Sequence, residues 1–557
     1  MRKIIDAAVM REIDAQTTAR YSLPSLLLME TAAQSALSAI HSRFPAGLRK
    51  RRALVLCGRG NNGGDGAALA RLLWLAGMQV NVILFGRAEE AKGDARTNFR
   101  IAQSLSRFDA GTQALPPPLS FTECESDSDW EEISAGHHPY DIIVDALFGT
   151  GLVRPLEGVY LKVLEHLELL RRARQRAHLK APLVVSLDIP SGLGADSPEL
   201  IGEAVRADLT VTFTAPKRAN VLPPASDYNG QLEIADIGSP PSLLEAAAST
   251  LFLPEEEDAR AWLVRTRYLP GSYKNMHGHA FIFAGSRGMT GAAVLVANAA
   301  MRAGAGLVTV ATASSVQQSI AARTMPEVMT AALPETESGA LSHEAVARAV
   351  EMAKRADVMA IGPGLTAVDE STRRFVSEMV EARRAPLVID ADGLNALAPW
   401  PEDLRGSSDL PLILTPHAGE MLRLLGAPGE DALKDRAGRA AEFAVKHNLI
   451  LVLKGARTLI CAPDGRVFVN PTGNAGLGTA GAGDTLTGII TGFLAQAHAL
   501  LKDEFDALAA TLAAVYAGGL AGDLCAREMG MRTMTASDIL EHLGAAILSL
   551  DAEGERP

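Results

Sequence analysis

Three short stretches in the first part of the chain hold residues whose types and spacing could do chemistry together. GRGNNGGDG (58–66) sets Asn61, Asn62 and Asp65 among glycines; VDALFGTGLVRP (144–155) carries Asp145; LDIPSG (187–192) carries Asp188 and Ser191. A glycine-rich turn between a strand end and a helix N-terminus exposes backbone N–H groups and a positive dipole end, which suits an anion such as phosphate. The spacing is not that of a GxGxxG loop with a ribose-binding acid after it, which argues against a simple NAD site. Asn62, Asp145 and Ser191 offer hard oxygen ligands, fit for a monovalent or hard divalent cation rather than zinc. Asp188 would be a carboxylate placed for proton transfer. Any one of these aspartates alone would read as a helix cap. Three such loops at the carboxyl ends of strands in one parallel sheet should instead converge on a ligand.

A second cluster lies near the other end, in NPTGNAGLGTAGAGDTLTGIITGFLA (470–495), where small residues run into GAGD and a helical pattern. The spacing starts that helix at Asp484. Amides of Ala482, Gly483 and Asp484 would point at one spot, and such a nest stabilises charge on a phosphoryl group in transfer. Asp484 beside it could take a hydroxyl proton. The alternative, a helix-packing turn with Asp484 as an ordinary N-cap, fits the glycine density poorly. No GxxxxGK[ST] loop is present, so a nucleotide must be held otherwise. Candidates at further strand ends are Lys454 in LKGART (453–458), His417 and Glu420 in ILTPHAGE (413–420), and AIGPGL (360–365). The histidines of HGH (277–279) have no third ligand in view and read as structural.

Elements that must position these residues follow from the apolar runs. ALVLC (53–57), VNVILFG (80–86), DIIVDALFG (141–149), PLVVSLDIP (182–190) and DLTVTFT (208–214) alternate with helical patterns. So do HAFIFAG (279–285), GLVTVA (306–311), DVMAIG (357–362), APLVID (385–390), LPLILT (410–415) and LILVLKG (449–455). Near-continuous apolar strands separated by helices predict parallel sheets covered on both faces. The segment 111–139 reads as a polar surface insertion. Prolines, small residues and an acidic run predict a linker over 241–258, between domains at 1–240 and 259–557. The fold class is α/β, two tandem three-layer αβα sandwiches. Length fits: 557 residues suit two large α/β domains. A formal net charge of −12 argues against nucleic acid as partner. No apolar run approaches the length needed to span a bilayer, which predicts a protein outside the membrane, and charges interrupt the N-terminal stretch where a signal peptide needs an apolar core. Four cysteines without a CxxC pair disfavour a disulfide scaffold or a zinc site. The expectation is a cytoplasmic protein.

CGRGNNGGDG, VDALFGTGL and LDIPSG, in that order, resemble the YjeF N-terminal domain of the NAD(P)H-hydrate epimerase family, over about the first 240 residues. The resemblance implies a Rossmann-like domain that interconverts the R and S epimers of 6-hydroxylated NAD(P)H. It implies substrate contacts at Asn61, Asn62, Gly63, Gly64 and Asp65, at Gly149, Thr150, Gly151, Leu152, Val153, Arg154 and Pro155, and at Asp188, which is also the implied acid/base. It implies K⁺ at Asn62, Asp145 and Ser191. No position departs from the pattern.

GAGD resembles the ribokinase-like superfamily. GMTGAAVLVANAAMRAGAGLVTVAT, AIGPGL, LTPHAGE, LKGART and NPTGN together resemble its NAD(P)H-hydrate dehydratase family, over about 260–545. That implies contacts to the hydrated nicotinamide nucleotide at Gly364, His417, Asp484 and an alanine of MTGAA, Ala292 or its neighbour. It implies nucleotide contacts at Lys454, Gly455, Ala456, Arg457, Thr458 and Gly483, with Asp484 as base. Mg²⁺ and ADP, or ATP in its place, are the implied co-reactants, and hydrated NADH and NADPH the substrates. The tandem order resembles bacterial bifunctional hydrate-repair enzymes and implies a homo-oligomer. Two other readings compete: a kinase for a small hydroxylated metabolite, and a first domain that only senses a ligand or partner. Asp145 and Asp188 weigh against the second.

Overall fold

The computed structural model describes residues 1–107, 119–136, 139–176, 181–427 and 429–551. The chain divides into two compact units, Arg2–Ser249 and Thr250–Pro557 with Met1. The division falls inside 241–258, which is not a bare linker: it holds the helix Pro241–Ala246, the strand Leu251–Leu253 and the start of the helix Glu256–Thr266.

In the first unit a seven-stranded sheet runs in the order Leu119–Cys124, Gln79–Phe85, Arg52–Cys57, Ile142–Ala146, Leu183–Leu187, Leu209–Phe213, Gln231–Ala235. Every pairing in it is parallel. Both faces are covered, as parallel sheets require. Ala53, Val55 and Cys57 pack to one side with the helices Ser25–Ser42, Asn61–Leu75 and Gly93–Ser106. Leu54 and Leu56 pack to the other with Asp127–Ala135 and Val159–Arg176. Chain order reverses between Arg52–Cys57 and Ile142–Ala146, which opens a crevice at their carboxyl ends.

The segment 111–139 is not simply a surface insertion. Within its described part, Leu119–Cys124 is an edge strand and Asp127–Ala135 a helix with a Ser126–Asp129 capping box. An edge strand is half solvated, so LSFTEC alternates and lacks the apolar run that betrays a central strand. Gln231–Ala235, at the opposite edge, escaped notice for the same reason.

The second unit's sheet runs Leu251–Leu253, Val467–Val469, Leu459–Cys461, Ile450–Leu453, Leu412–Leu414, Leu387–Ile389, Val358–Ile361, His279–Phe283, Leu307–Ala313, Met329–Leu333. It is parallel except where Leu459–Cys461 pairs antiparallel with both of its neighbours. LKGART therefore opens a hairpin connection, not a strand-to-helix turn.

Among the described residues one helix, Ala507–Met529, is long and apolar enough to cross a membrane by length and composition, contrary to the sequence-based expectation. It packs instead against the helices Glu256–Thr266, Ala482–Leu501 and Ala536–Asp551, with its alanines and glycines buried. Small residues allow that close approach. The buried helix Ala482–Leu501 uses the same device: Gly488 and Gly492 meet the carbonyls of Val296 and Ala300 in the helix Thr290–Arg302, and a Cβ at Gly488 would stand 2.2 Å from the Val296 oxygen.

Candidate active sites

In the first unit, the backbone N–H of Gly58 donates to the carbonyl of Ala146 (3.0 Å), tying the strand end Arg52–Cys57 to its neighbour. Gly60 caps the helix Asn61–Leu75, so NNGGD forms its opening turns rather than a loop. The first N–H groups of that helix have no intrahelical partner. Gly63 can be nothing larger, because a Cβ would stand 1.7 Å from the Gly58 carbonyl oxygen.

Gly149 joins the three loops. A Cβ there would lie 3.4 Å from the Asn62 side chain and 3.5 Å from Asp188 Oδ2. Asp145, fully buried at its strand end, accepts hydrogen bonds from Ser186 Oγ (2.8 Å), Ser191 N (2.9 Å), Ser191 Oγ (2.6 Å) and Leu147 N (3.3 Å). Burial pushes its carboxyl up, and those bonds oppose the shift. Ser191 Oγ also accepts from Phe148 N (2.9 Å), pinning the GTGL loop. Both polar side-chain atoms of the buried Asn62 lack a hydrogen-bond partner. Not every predicted position turns inward. Leu152 belongs to the core, and Val153 is 87% exposed, with Arg154 and Pro155 also on the surface.

Asp188 holds a left-handed φ of 64°, a strain that recurs at functional sites. Its Oδ1 accepts from Thr212 Oγ1 (3.1 Å) and forms a short ion pair with Lys217 Nζ. Lys217 is almost wholly buried, donates also to Thr212 Oγ1 (3.0 Å), and is held at its backbone N–H by Asn220 Oδ1 (2.8 Å). Asp14, on the helix Ala7–Tyr21, faces the same pair. Burial pushes its carboxyl up to about 6, Lys217 pulling it down and Asp188 raising it further. Burial also raises Asp65, with Asp188 and Asp14 adding to it. Lys217 and Asp14 were missed in the sequence. TAPK after the strand 208–214 carried the strand-end signal, whereas Asp14 carried none.

In the second unit, the helix Ala482–Leu501 begins at Ala482, two residues before the predicted start, with Gly481 as N-cap at φ 84°. Asp484 lies in its first turn and caps nothing. Burial pushes the Asp484 carboxyl up to about 6; Asp390 adds to the rise, Lys454 opposes it, and Asp392 and Glu420 add smaller amounts. Lys454 turns inward: its Nζ donates to Asp390 Oδ1 (2.8 Å) and stands 3.9 Å from Glu420 Oε2. Asp390, nearly inaccessible, also accepts from Thr487 Oγ1 (2.7 Å) on the same long helix. Gly483 faces this group, since a Cβ there would be 3.2 Å from Lys454 Nζ.

His417 caps the helix Ala418–Leu424. Its Nδ1 accepts from Gly419 N (3.0 Å) and Glu420 N (3.3 Å), which leaves the ring proton on Nε2 and the ring half exposed. Gly364, at φ 63°, packs on Ala292: a Cβ there would stand 2.9 Å from Ala292 Cβ. Ala293 is buried and lies instead against Gly285. Arg457 donates to the Pro471 carbonyl (2.6 Å) and Asn470 N to the Thr458 carbonyl (2.9 Å), joining the hairpin loop to NPTGN. Asp523 holds that segment through Gly473 N (2.9 Å) and Asn474 Nδ2 (2.9 Å). His277 and His279 are structural: the first stacks on Tyr268, the second meets Thr309 Oγ1 (2.8 Å). Asp390 was missed as a site residue although it ends the predicted strand 385–390.

The two α/β units, in this order, fit a tandem of a YjeF-related N-terminal domain and an NAD(P)H-hydrate dehydratase domain. A family model for the YjeF-related protein N-terminus matches residues 25–219, and one for NAD(P)H-hydrate dehydratase matches 280–544. The chain is 40% identical over 552 residues to a bifunctional NAD(P)H-hydrate repair enzyme of Moorella thermoacetica, covering 99% of this chain and 98% of the relative. It is 32% identical to the Escherichia coli enzyme of that name, covering 93% and 88%. A Bacillus subtilis structure titled ADP/ATP-dependent NAD(P)H-hydrate dehydratase, co-crystallised with ATP and Mg²⁺, is 32% identical over 54% of this chain and all of that one, with a TM-score of 0.46. The chain belongs to the family of bifunctional NAD(P)H-hydrate repair enzymes.

Proposed function

We propose that the first unit epimerises hydrated NAD(P)H at C6 and the second dehydrates the S epimer to NAD(P)H, with ADP as phosphoryl donor. The observation that carries the reading is the setting of Asp484. A carboxylate raised by burial stands in the first turn of a helix whose N-terminal amides form an anion hole, next to Gly483.

Hydroxide is a poor leaving group, so the C6 hydroxyl is first phosphorylated. Asp484 takes the hydroxyl proton as the oxygen attacks the terminal phosphorus of ADP, and AMP departs with the P–O electron pair. Amides at Ala482, Gly483 and Asp484 hold the phosphoryl group in transfer. Loss of phosphate from C6 and of a proton from C5 then restores the double bond. Ala292, Gly364 and His417 line the nicotinamide side; Lys454 to Thr458 and Gly483 line the nucleotide side. Asp390, Asp392, Glu420 and Asp484 gather around Lys454, a balance that fits a divalent ion carried in on phosphates; among the described residues no three-ligand cage is formed. Mg²⁺ bound there would neutralise phosphate charge.

In the first unit, epimerisation needs the C6–O bond to break and re-form on the opposite face. A protonated Asp188 can give its proton to the departing hydroxyl and, as the carboxylate so formed, take one from the incoming water on the opposite face, which returns it to its starting state, while Lys217 fixes the position of its carboxyl group. Asn61 to Asp65 and Gly149 to Pro155 line the substrate. The orphaned amide of Asn62, with Asp145 and Ser191, supports a K⁺ site: one carboxylate among neutral oxygens fits a monovalent ion. The resemblance also implies a homo-oligomer, which light scattering of the full chain would check.

The test mixes both epimers of hydrated NADH with the protein, K⁺, Mg²⁺ and either ADP or ATP, and follows NADH absorbance. Full recovery is expected, and the faster nucleotide identifies the donor. Recovery stopping near half would overturn the epimerase assignment; no recovery would overturn the dehydratase.

A further inference from the structure

The hairpin loop at 454–458 presents a charge problem for any nucleotide bound there. Its lysine is already committed to Asp390 at 2.8 Å, with Glu420 3.9 Å away. Asp484 and Asp392 add further negative charge beside it. Beside Arg457 in the loop itself, which donates to the Pro471 carbonyl, and a divalent ion carried in on the phosphates, the structure holds a further cation at the loop's back.

Arg436, the first residue of the helix Arg436–His447, lies against the loop's glycine. A Cβ at Gly455 would stand 2.5 Å from Arg436 Nη2 and 3.5 Å from Nη1, and Gly455 sits at φ 153°, so the bare glycine is what lets the guanidinium reach the loop. Its single hydrogen bond is long, from Nη2 to the Lys454 carbonyl at 3.4 Å. Nε is buried with no partner, and no carboxylate pairs with the group among the described residues. Burial lowers its affinity for its proton. A guanidinium carries five donors in a planar fork matched to phosphate. Desolvating it without a counter-charge is unfavourable unless a ligand supplies one.

We propose that Arg436 is a phosphate-binding residue for the donor nucleotide, adding positive charge beside that of Arg457 where Lys454 is paired with Asp390. This rests on the nucleotide dependence of the second unit and goes beyond it by assigning a residue outside the 454–458 loop and the GAGD turn.

The test is direct binding, without hydrate or turnover, by calorimetry of the full chain with adenosine, AMP and ADP in Mg²⁺. For Arg436→Gln, the affinity for ADP should fall about 10- to 100-fold, the usual effect of losing a charge-assisted phosphate contact, while adenosine binding is unchanged. Arg436→Lys should fall in between. Melting without nucleotide should be unaffected or raised in Arg436→Gln, because an unpaired buried charge has been removed, while the ADP-induced rise in Tm shrinks. An equal loss for adenosine and ADP, or a lower melting temperature without nucleotide, would mean that Arg436 only supports the loop and would overturn the proposal. So would unchanged ADP affinity. A wild-type chain that binds ADP yet fails to restore NADH would instead count against the dehydratase reading and leave this proposal standing.

Discussion

Lys217 and Asp188 form an ion pair with unequal exposure, 1% against 14%, and that inequality sets what each substitution should do. Asp188→Asn removes the proton carrier, so epimerisation should drop about 10²- to 10⁴-fold in an assay that follows conversion of one purified epimer into the other. It also strands a buried ammonium, a loss of up to about 3–5 kcal/mol in urea unfolding, less to the extent that Asp14 ionises in its place. Adding Lys217→Met to Asp188→Asn should restore part of the stability and none of the activity. A double variant less stable than Asp188→Asn would contradict the pairing. Asp484 makes the opposite trade. Its folded-state value of about 6 exceeds the ordinary 3.8, so the fold disfavours the ionised form and loses stability as pH rises between those values. Asp484→Asn should therefore melt higher than the wild type at pH 8, no differently near pH 4, and lose dehydratase activity at every pH. In the wild type, kcat/KM for dehydration should fall as pH drops below about 6, where Asp484 takes up a proton. A profile flat down to pH 5 would remove Asp484 as the base.

At the scale of elements, the anion hole is aimed by helix packing. Ala482–Leu501 approaches Thr290–Arg302 closely enough that Gly488 touches the Val296 carbonyl. Alanine there gains about 1 kcal/mol of helix propensity, but its Cβ would sit 2.2 Å from that oxygen. Overpacking at such a contact costs about 1–3 kcal/mol or more, so the clash wins. Gly488→Ala should lower the Tm of the second unit and weaken dehydration while epimerisation stays unchanged; a higher Tm would refute the packing argument. The same elements explain what the sequence made legible. Central strands such as Arg52–Cys57 and Ile450–Leu453 are buried on both faces and read as unbroken apolar runs. Edge strands such as Leu119–Cys124 and Met329–Leu333 are partly solvated and do not. Glycine-rich turns declared NNGGD and GAGD, because close backbone approach leaves a compositional trace. Lys217 and Asp390 left only their place at a strand end, and Asp14 left nothing. What they do depends on partners 29, 203 or 64 residues away, pairs made by tertiary packing alone (Lys217 with Asp188, Asp14 with Lys217, Asp390 with Lys454).

For the whole molecule, each unit carries its own hydrophobic core and every residue placed at its own candidate site. No side chain placed at one site comes from the other unit, so the two reactions need share only a diffusing substrate. That makes complementation between chains the informative measurement. Asp188→Asn protein alone, given both epimers with K⁺, Mg²⁺ and ADP, should restore NADH only to the share of S epimer present, then creep at the spontaneous rate. Asp484→Asn protein alone should restore none. Equal amounts of the two should restore nearly all, because R epimer converted on one chain can leave it and be dehydrated on another. Recovery by the mixture that stays at the S share, while wild type goes to completion, would mean that substrate passes between sites without release. In that case the tandem order would serve transfer within the chain, and not only joint production of two activities that act on the two halves of one damaged pool.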